Sequence, residues 1–358
     1  MIRIASLLLL LIISNVNIRA QVSNPRSQKT AKNIILLIGD GMGVSQIYAA
    51  MSVSSKTLNL EQFKVIGFHK TYSANDYITD SGAGGTALST GVKTCNNCIA
   101  TDTLGNPLKT ILEIAEKNNK ATGLISTSSI LHATPASFIA HVKSRNNLED
   151  IATWFLKTDI DLFIGGGRKQ FICRKDGLNL FDSLLERGYF ITDSLHKIQN
   201  NKSAKYAVIT AYEHNPKYSE GRGDLLPDAA EKAIQILSEK ENGFFLMIEG
   251  SQIDWGGHDN DINYVVTETI DFDKAIGKAL EFAKKDGETL VIVTADHETG
   301  GLTLVDGNTD KKITAKFSTD NHTGVMVPVF VYGPGAENFG GIYQNTEVFN
   351  KMMDAFGF

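Results

Sequence analysis

Residues 32–43 read Lys-Asn-Ile-Ile-Leu-Leu-Ile-Gly-Asp-Gly-Met-Gly, an aliphatic run that ends in a glycine-rich turn carrying Asp40. A short run of consecutive aliphatic residues bounded by glycine is typical of a strand that is buried on both faces of a sheet. Ligands in open α/β sheets bind beyond the carboxyl ends of the strands. Asp40 therefore lies where a functional site is expected.

The same kind of strand recurs along the chain and alternates with segments of helical periodicity. The other predicted strands are Ala121 to Ile125, Asp161 to Ile164, Ala207 to Thr210, Phe244 to Glu249, Thr289 to Thr294 and Val327 to Tyr332. The predicted helices are Pro107 to Asn118, Asn147 to Lys157, Leu226 to Glu239 and Tyr264 to Lys285. This βαβ alternation predicts an α/β fold, a three-layer α/β/α sandwich with a mostly parallel central sheet.

No linker or repeat divides the chain, so residues 21–358 are predicted to form a single catalytic domain, with Asp176 to Pro227 as a surface elaboration. Of the 358 residues, 42% are hydrophobic and 21% are charged, which is the composition of an ordinary globular protein. The net charge of -5 offers no basic field for nucleic acid, so any affinity for phosphate has to be local.

The first twenty residues have the pattern of a secretory signal peptide. Arg3 precedes an apolar run from Leu7 to Ile13, and polar residues follow up to Ala20, which predicts cleavage near Ala20-Gln21. The alternative is a short membrane anchor, but the run is well below the ~20 apolar residues that a span requires. We expect a protein exported to the periplasm or secreted, without a membrane partner.

Three cysteines are present. Cys95 and Cys98 form a C-x-x-C, and Cys173 stands apart. In an oxidising compartment the pair could close a small disulfide loop, and otherwise the thiols are inert. A zinc ribbon would need a second C-x-x-C, which the sequence lacks.

Acidic residues and histidines follow two further strands. Glu249, Asp254 and His258 come at and after the strand that begins at Phe244, and Asp296-His297 follows Thr294. Carboxylates with imidazoles are a zinc ligand set, and all-oxygen sets suit magnesium. Asp254 and His258 are four apart, so on a helix both side chains lie on one face. These clusters predict a metal site at the carboxyl edge of the sheet.

The segment Ile78 to Thr86 reads Ile-Thr-Asp-Ser-Gly-Ala-Gly-Gly-Thr and places Ser81 before a run of small residues. It fits a serine at a helix N-terminus, where free amides and the helix dipole favour an anion. The alternative is a plain N-cap on a glycine-rich helix. A P-loop is excluded because no Gly-Lys-Ser/Thr follows, and the Gly-x-Ser-x-Gly elbow is absent.

These motifs together resemble the alkaline phosphatase family over nearly all of the predicted mature chain, from Asn33 to Gly324. The segment around Ser81 matches the family signature at every position. The other matching motifs, in the family's order, are Gly39-Asp40-Gly41-Met42-Gly43, His132-Ala133-Thr134-Pro135, Ser144-Arg145, Glu249 to His258, Ala295-Asp296-His297 and His322-Thr323-Gly324.

The resemblance implies an enzyme with two zinc ions and one magnesium ion that hydrolyses small-molecule phosphate monoesters through a phosphoserine on Ser81. It implies that Arg145 clamps the phosphate. The implied ligands are Asp254, His258 and His322 for one zinc, Asp296, His297 and Asp40 for the second, and Asp40, Thr134 and Glu249 for magnesium. It also implies a homodimer, although only some twenty residues lie where many members insert an interface lobe.

Two positions beside the implied ligands depart from the best-studied bacterial members. His132 stands where they carry Asp, and Trp255 stands where they carry Lys. Loss of that lysine predicts weaker phosphate binding. His132 could hydrogen-bond a water on the third metal, or ligate directly and draw zinc instead of magnesium.

The remaining histidines lie outside the motifs and are interpreted as surface or core residues: His69, His141, His196 and His214. The run Gly165 to Gly167 is interpreted as a tight turn, with a phosphate cradle as the alternative.

Rival functions come from other classes. A phosphodiesterase of the same superfamily would share the metal-bearing strand ends but usually carries threonine as nucleophile. A sulfatase needs a Cys-x-Pro-x-Arg or serine equivalent, which is absent. A non-catalytic metal or phosphate scavenger would not need Ser81 and Arg145 together.

Overall fold

A ten-stranded sheet forms the middle layer of the structure, a computed structural model that describes residues 30–198, 205–308 and 312–358. The strands are β1 Asn33–Gly39, β2 Val65–Lys70, β3 Ala121–Ser129, β4 Leu162–Gly166, β5 Tyr189–Thr192, β6 Lys205–Ile209, β7 Phe244–Gly250, β8 Thr289–Thr294, β9 Glu298–Thr299, β10 Thr303–Gly307, β11 Ile313–Lys316, β12 His322–Thr323, β13 Val327–Tyr332 and β14 Gly341–Gln344. Their order in the main sheet is β14-β2-β13-β8-β1-β7-β3-β4-β6-β5.

Helices cover the sheet. They are α1 Val44–Val53, α2 Ser81–Thr90, α3 Ile111–Lys117, α4 Ala133–Ile139, α5 Leu148–Trp154, α6 Arg168–Ile172, α7 Leu180–Glu186, α8 Leu225–Leu237, α9 Gln252–His258, α10 Ile262–Asp286 and α11 Thr346–Phe356. Short 3-10 turns occupy Asn59–Gln62, Leu195–Lys197, Tyr218–Glu220 and Ala336–Phe339. No helix in the described ranges combines the length and apolarity needed to cross a bilayer.

The alternation of side chains along β1 explains why both faces of the sheet are covered. Ile34, Leu36 and Ile38 belong to one buried apolar cluster, and Ile35 and Leu37 belong to the other. Successive side chains of a strand point to opposite faces, so an aliphatic run has to be buried on both. The predicted α/β/α sandwich is confirmed.

All seven predicted strands are present in the sheet, and the four predicted helices are present with ends that differ by a few residues. In the sheet order β8-β1-β7-β3-β4-β6-β5, each strand is parallel to its neighbour. Strand β13 is antiparallel to β8 and to β2. The sheet is therefore mostly parallel, as expected.

The interpretation of Asp176 to Pro227 as a surface elaboration is wrong in part. This segment contains α7, β5 and β6, and β6 pairs with β4 while β5 pairs with β6 as the edge of the main sheet. β5 has only four residues, of which Phe190 is exposed and Ile191 is only partly buried, so the sequence contains no long buried run that would predict it. Tyr189 nevertheless fixes it by donating a hydrogen bond from its hydroxyl to the Ile160 carbonyl over 2.5 Å.

Four neighbouring parallel strands bring the predicted site together. In the order β8-β1-β7-β3, each strand ends at the same edge of the sheet and leads into a segment with predicted site residues. After β9, strands β10 and β11 pair as a two-stranded antiparallel ribbon. The described residues between Leu302 and Asn321 therefore form no large lobe, as expected from the short segment. The predicted signal peptide, residues 1–20, lies outside the described residues.

Candidate active site

Buried carboxylates line the carboxyl edge of the sheet. Asp40 follows β1, Glu249 lies near the end of β7 and Asp296 follows β8, and each is 0% exposed. Burial, and then the other carboxylates nearby, raise the pKa of Asp40 well above its usual range and raise the pKa of Asp296 to about 7. Burial also raises the pKa of Glu249. Such a concentration of acid is costly unless positive charge compensates it.

Asp254, His258 and His322 form the first group of possible metal ligands. Helix α9 places Asp254 and His258 one turn apart, with His258 Nε2 3.3 Å from Asp254 Oδ2. His322 is far away in sequence, but pairing of β12 with β9 sets it opposite Thr299 and leaves its Nε2 3.5 Å from Asp254 Oδ1. The predicted set for the first zinc ion is therefore brought together.

The two imidazoles of this group are held in one orientation. His258 Nδ1 donates to the Asp320 carbonyl over 2.6 Å, and His322 Nδ1 donates to the Thr79 carbonyl over 2.8 Å. Their Nε2 atoms consequently face each other, 3.2 Å apart. Backbone carbonyls that fix the tautomer of a ligating histidine are a common feature of metal sites. In the protein alone, the hydrogen bond with Asp254 raises the pKa of His258 to about 9.

His297 is the centre of the second group, which the structure builds with Asp40 and Asp254. Its Nε2 lies 3.4 Å from Asp40 Oδ1, 3.4 Å from Asp296 Oδ2 and 3.2 Å from Ser81 Oγ. The predicted set of Asp40, Asp296 and His297 thus converges beside Ser81.

The tautomer of His297 follows from its neighbours. The Thr299 hydroxyl donates to Asp254, so it accepts from His297 Nδ1 at 3.3 Å, and the lone pair of Nε2 points at the two carboxylates. Burial lowers the pKa of His297 well below its usual range. A neutral imidazole whose lone pair faces carboxylate oxygens is repulsive without a cation and is the form that binds one.

The third group consists of Asp40, His132 and Glu249. Thr134, the residue expected to join Asp40 and Glu249, lies in α4 with its hydroxyl 3.5 Å from Asp40 Oδ2. His132 precedes α4, and burial followed by the nearby charge of Arg145 lowers its pKa to about 3. The neutral ring of His132 can therefore offer a lone pair to a cation bound beside Asp40, where the Thr134 hydroxyl also lies.

Buried atoms without hydrogen-bond partners test whether these groups fit metal ions. Among the described residues such atoms include Asp40 Oδ1, Glu249 Oε1, Asp296 Oδ2 and His132 Nδ1. Unsatisfied buried polar atoms are rare in folded proteins. Asp40, Glu249 and His132 belong to the second and third groups, and Asp296 Oδ2 lies 3.4 Å from His297 Nε2 of the second. These atoms can each offer a lone pair, so the residues fit divalent cations.

Ser81 is the first residue of α2 and is 1% exposed. Asp80 caps this helix, accepting from the Ala83 amide over 2.9 Å. α2 also packs closely on the segment after β8, because a Cβ on Gly84 would lie 3.0 Å from Asp296 Cβ. The glycine-rich sequence therefore lets the helix start approach the metal-ligand residues.

Arg145 reaches the site from the loop before α5. Its Nη1 donates to Asp80 Oδ2 over 3.0 Å, with the two side chains 19% and 17% exposed. The Asp80 carboxylate thus joins the cap of the Ser81 helix to the guanidinium. A guanidinium retains free donors after such a contact, and its planar fork suits phosphate oxygens.

Trp255 and His132 contact each other near the third group, with ring centroids 6.2 Å apart. His214, interpreted as a surface or core residue, is exposed but packs on Trp255 at 5.0 Å and on His132 at 6.0 Å. Its Nδ1 also accepts from the Ser129 amide over 3.0 Å. Gly166 permits this approach, because a Cβ there would lie 2.2 Å from the Glu213 carbonyl oxygen. The tight-turn interpretation of Gly165 to Gly167 is wrong for the first two glycines, which end β4, and only Gly167, with a φ of 104°, leads into α6.

Three other histidines lie apart from the groups, as interpreted. His69 is buried and donates a hydrogen bond to the Ala295 carbonyl, His141 is paired with Glu113, and His196 is exposed.

Several supporting residues were missed by sequence reasoning. Ser126 and Ser251 both donate to Glu249 Oε2 over 2.6 Å, and Thr299 and Asp80 act as described above. Only Asp80 had a local signal, an aspartate directly before a helix start.

Comparison with known proteins gives a consistent result. The family model described as alkaline phosphatase matches residues 31–316. Alkaline phosphatase 3 of Bacillus subtilis (strain 168) is 34% identical, with 94% of this chain and 91% of that protein covered. Alkaline phosphatase of Escherichia coli (strain K12) is also 34% identical, with 94% and 88% covered.

Solved structures agree. Alkaline phosphatase from the Antarctic bacterium TAB5 superposes with a TM-score of 0.89 at 46% identity, covering 92% of this chain and 99% of that one. A histidine-to-aspartate variant of TAB5 alkaline phosphatase, with Mg bound in its M3 site, has a TM-score of 0.89 at 45% identity and the same coverage. The chain therefore belongs to the alkaline phosphatase family and is a phosphoric monoester hydrolase.

Proposed function

We propose that this chain hydrolyses small-molecule phosphate monoesters to an alcohol and inorganic phosphate through a covalent phosphoserine on Ser81. The observation that carries the proposal is the position of the Ser81 hydroxyl, buried at the start of α2 and 3.2 Å from His297 Nε2. A serine held against a convergent set of carboxylates and imidazoles is placed for nucleophilic attack rather than for packing.

The family implies divalent metal ions, and we infer two zinc ions and one magnesium ion. Asp254, His258 and His322 would hold one zinc, and Asp40, Asp296 and His297 would hold the other. Asp40, Thr134 and Glu249 would hold magnesium. When bound, these ions supply the positive charge that lowers the pKa of the serine hydroxyl and stabilises the leaving oxygen. The identity of the third ion depends on His132, because an imidazole in that group favours zinc over magnesium.

The chain's own residues then perform the two displacements. Arg145 binds two phosphate oxygens through its planar fork, and Asp80 keeps the guanidinium aimed at the start of α2. Ser81 Oγ attacks phosphorus in line as the bond from phosphorus to the ester oxygen breaks, and the proton lost by Ser81 ends on the alcohol that leaves. In the second step water attacks the phosphoserine, the bond from phosphorus to Ser81 Oγ breaks, inorganic phosphate leaves and one proton of the water returns to Ser81 Oγ. The dipole of α2 favours the anion in both steps.

We further propose a single catalytic domain over residues 21–358, a homodimer, and export to the periplasm or medium. They rest on the pattern of residues 1–20 and on the family resemblance. Light scattering on the purified protein measures the dimer, and N-terminal sequencing of protein recovered from the periplasm measures the cleavage site.

Turnover of p-nitrophenyl phosphate and of bis-p-nitrophenyl phosphate, each with and without a chelator, tests the activity. We expect the monoester to be hydrolysed much faster than the diester, and chelation to abolish both rates because the ions would supply the positive charge that activates the serine and stabilises the leaving oxygen. Preference for the diester would favour a phosphodiesterase. Binding of inorganic phosphate without turnover of either ester would favour a scavenger.

A further inference from the structure

The segment Cys95 to Cys98 forms a tight turn that the catalytic proposal does not use. The Cys98 amide donates to the Cys95 carbonyl over 3.1 Å, and Asn97 has a φ of 71°. Such a four-residue turn keeps the first and last Cα atoms within about 7 Å. That separation is compatible with a disulfide. Both cysteines are partly buried, and neither is bonded in this structure.

The backbone of this turn contacts the pair that orients phosphate. The Asn97 amide donates to Asp80 Oδ2 over 3.0 Å, and the Arg145 amide donates to the Asn97 carbonyl over 2.8 Å. Arg145 Nη1 donates to the same Asp80 oxygen over 3.0 Å. Asn97 therefore closes a triangle of hydrogen bonds in which both the backbone and the guanidinium of Arg145 are fixed.

The same turn contacts the chain on both sides of Ser81. Asn96 accepts from the Asp80 amide over 3.1 Å and donates to the Ile78 carbonyl over 2.9 Å. On the other side, a Cβ on Gly82 would lie 3.0 Å from the Cys98 carbonyl oxygen. A displacement of the turn consequently moves the residues that flank the nucleophile.

We propose that Cys95 and Cys98 are a disulfide-forming pair, and that their bond fixes the turn and thereby positions Asp80 and Arg145 for phosphate. The functional part rests on the activity proposed above. The groups of described residues close enough to hold a metal include no cysteine, and two thiolates are half of a structural zinc site, so disulfide chemistry suits the pair better.

The bond forms by exchange with a disulfide such as oxidised glutathione. The thiolate of one cysteine attacks a glutathione sulfur and releases one glutathione thiol. The thiolate of the second cysteine attacks the mixed disulfide and releases the other. The two cysteines lose two protons and two electrons, and one glutathione disulfide becomes two thiols.

The test uses the full chain loaded with zinc and magnesium and carrying Cys173→Ser, so that two cysteines remain. The protein is equilibrated with oxidised or reduced glutathione, excess reagent is removed, and alkylation is followed by mass spectrometry. Hydrogen exchange of a peptide covering residues 94–99 and the kinetics of p-nitrophenyl phosphate are measured on the same samples. Because the reduced protein is the comparison, neither Cys95 nor Cys98 has to be replaced, and Cys95→Ser/Cys98→Ser serves as a second reference.

We expect the oxidised protein to take up no alkyl group and the reduced protein to take up two. Exchange in residues 94–99 should be slower after oxidation, and KM should be about three- to tenfold lower with little change in kcat. The Cys95→Ser/Cys98→Ser variant should have the hydrogen exchange and KM of the reduced protein, and neither should change with glutathione.

Thiols that stay alkylatable in oxidised glutathione would overturn the proposal, as would a disulfide that leaves exchange and KM unchanged. A protein that forms the disulfide with slower exchange but hydrolyses no monoester in either state would instead refute the proposed function. The two failures are therefore distinguishable.

Discussion

The imidazole that contacts the Ser81 hydroxyl is not arranged like a conventional general base. His297 has Nδ1 hydrogen-bonded to Thr299, and its Nε2 faces Asp40 and Asp296 as well as the serine. A triad histidine would instead be oriented by a single carboxylate on its far nitrogen. Under the proposed function, Ser81 is therefore activated by cations and not by proton transfer to His297.

Under the proposed function, we expect His132 and Trp255 to determine how strongly inorganic phosphate is bound. Changing His132→Asp together with Trp255→Lys adds a carboxylate to the third ligand group and a cation beside the phosphate. We expect the inhibition constant of inorganic phosphate to fall by about tenfold, because charge-assisted contacts are the strong ones. Steady-state inhibition at fixed metal concentration measures this. His132→Asp with Trp255→Phe is the matched control, and unchanged inhibition in the Lys variant would rule the account out.

At the scale of elements, the contact between α2 and the segment after β8 sets the geometry of the nucleophile. Gly84→Ala would place a Cβ 3.0 Å from Asp296 Cβ and 3.2 Å from its carbonyl oxygen. We expect kcat/KM to fall by about tenfold or more, since small displacements of catalytic groups are expensive. Gly340→Ala is the control, because its φ is -71° and its Cβ would meet nothing within 4 Å. Equal activity of the two variants would contradict this view of α2.

Helix α3 carries an ion pair that predicts a pH dependence of stability. His141 Nδ1 lies 2.8 Å from the Ala100 carbonyl and Nε2 lies 3.1 Å from Glu113 Oε1, so two acceptors face one ring. Burial opposes the charge of His141, but these hydrogen bonds outweigh it and raise its pKa above 6.5. Burial likewise opposes the charge of Glu113, yet the bonds from His141 and Thr110 lower its pKa below 4.5.

Because the pKa of His141 is raised in the folded protein, its contribution to the free energy of unfolding is fully present below pH 6.5 and is lost as pH rises through the folded-state pKa. Because the pKa of Glu113 is lowered, its contribution is present above pH 4.5 and is lost as pH falls through its folded-state pKa. Glu113→Gln keeps the capping box but removes the charge. We expect it to lower the free energy of unfolding by about 1 kcal/mol near pH 5.5 and by less near pH 9, in urea titrations. A deficit that grows with pH would contradict the assignment.

At the scale of the whole molecule, a buried ion cluster ties the segment before α8 to α10. Arg222 Nη2 lies 2.9 Å from Asp271 Oδ2 and also pairs with Glu268, and the three side chains are 1%, 0% and 2% exposed. Arg222→Met would leave two carboxylates buried without their cation. We expect a loss of about 3–5 kcal/mol in the free energy of unfolding.

Lys278→Met is the matched control for that measurement. Lys278 Nζ pairs with Glu231 over 2.9 Å, but the side chains are 34% and 60% exposed. An exposed pair of this kind contributes less than about 1 kcal/mol. If the two substitutions cost the same, the buried cluster does not hold the molecule together as described.

The parts of the molecule that the sequence predicted are those with a local signal. The aliphatic strands β1 and β8 could be predicted because burial on both faces of the sheet requires a continuous apolar run in the interior of each strand. The motifs at their ends could then be placed at the edge of the sheet. The edge strand β5 was missed because it has four residues and only two of them are fully buried. His214 packs on Trp255 where Gly166 leaves room for the Glu213 backbone, and Ser126 contacts Glu249 from the neighbouring strand β3. Such long-range contacts leave no periodicity in the chain.

The central claim is that folding gathers distant acids and imidazoles around one nucleophilic serine. Its most direct test is to incubate the zinc- and magnesium-loaded protein with inorganic phosphate at acidic pH, quench it in acid, and locate the bound phosphate by peptide mass spectrometry. The account predicts one phosphoryl group on Ser81 and none in Ser81→Ala, whose kcat should fall by at least about a thousandfold. Phosphate on another residue, or full activity of Ser81→Ala, would contradict it.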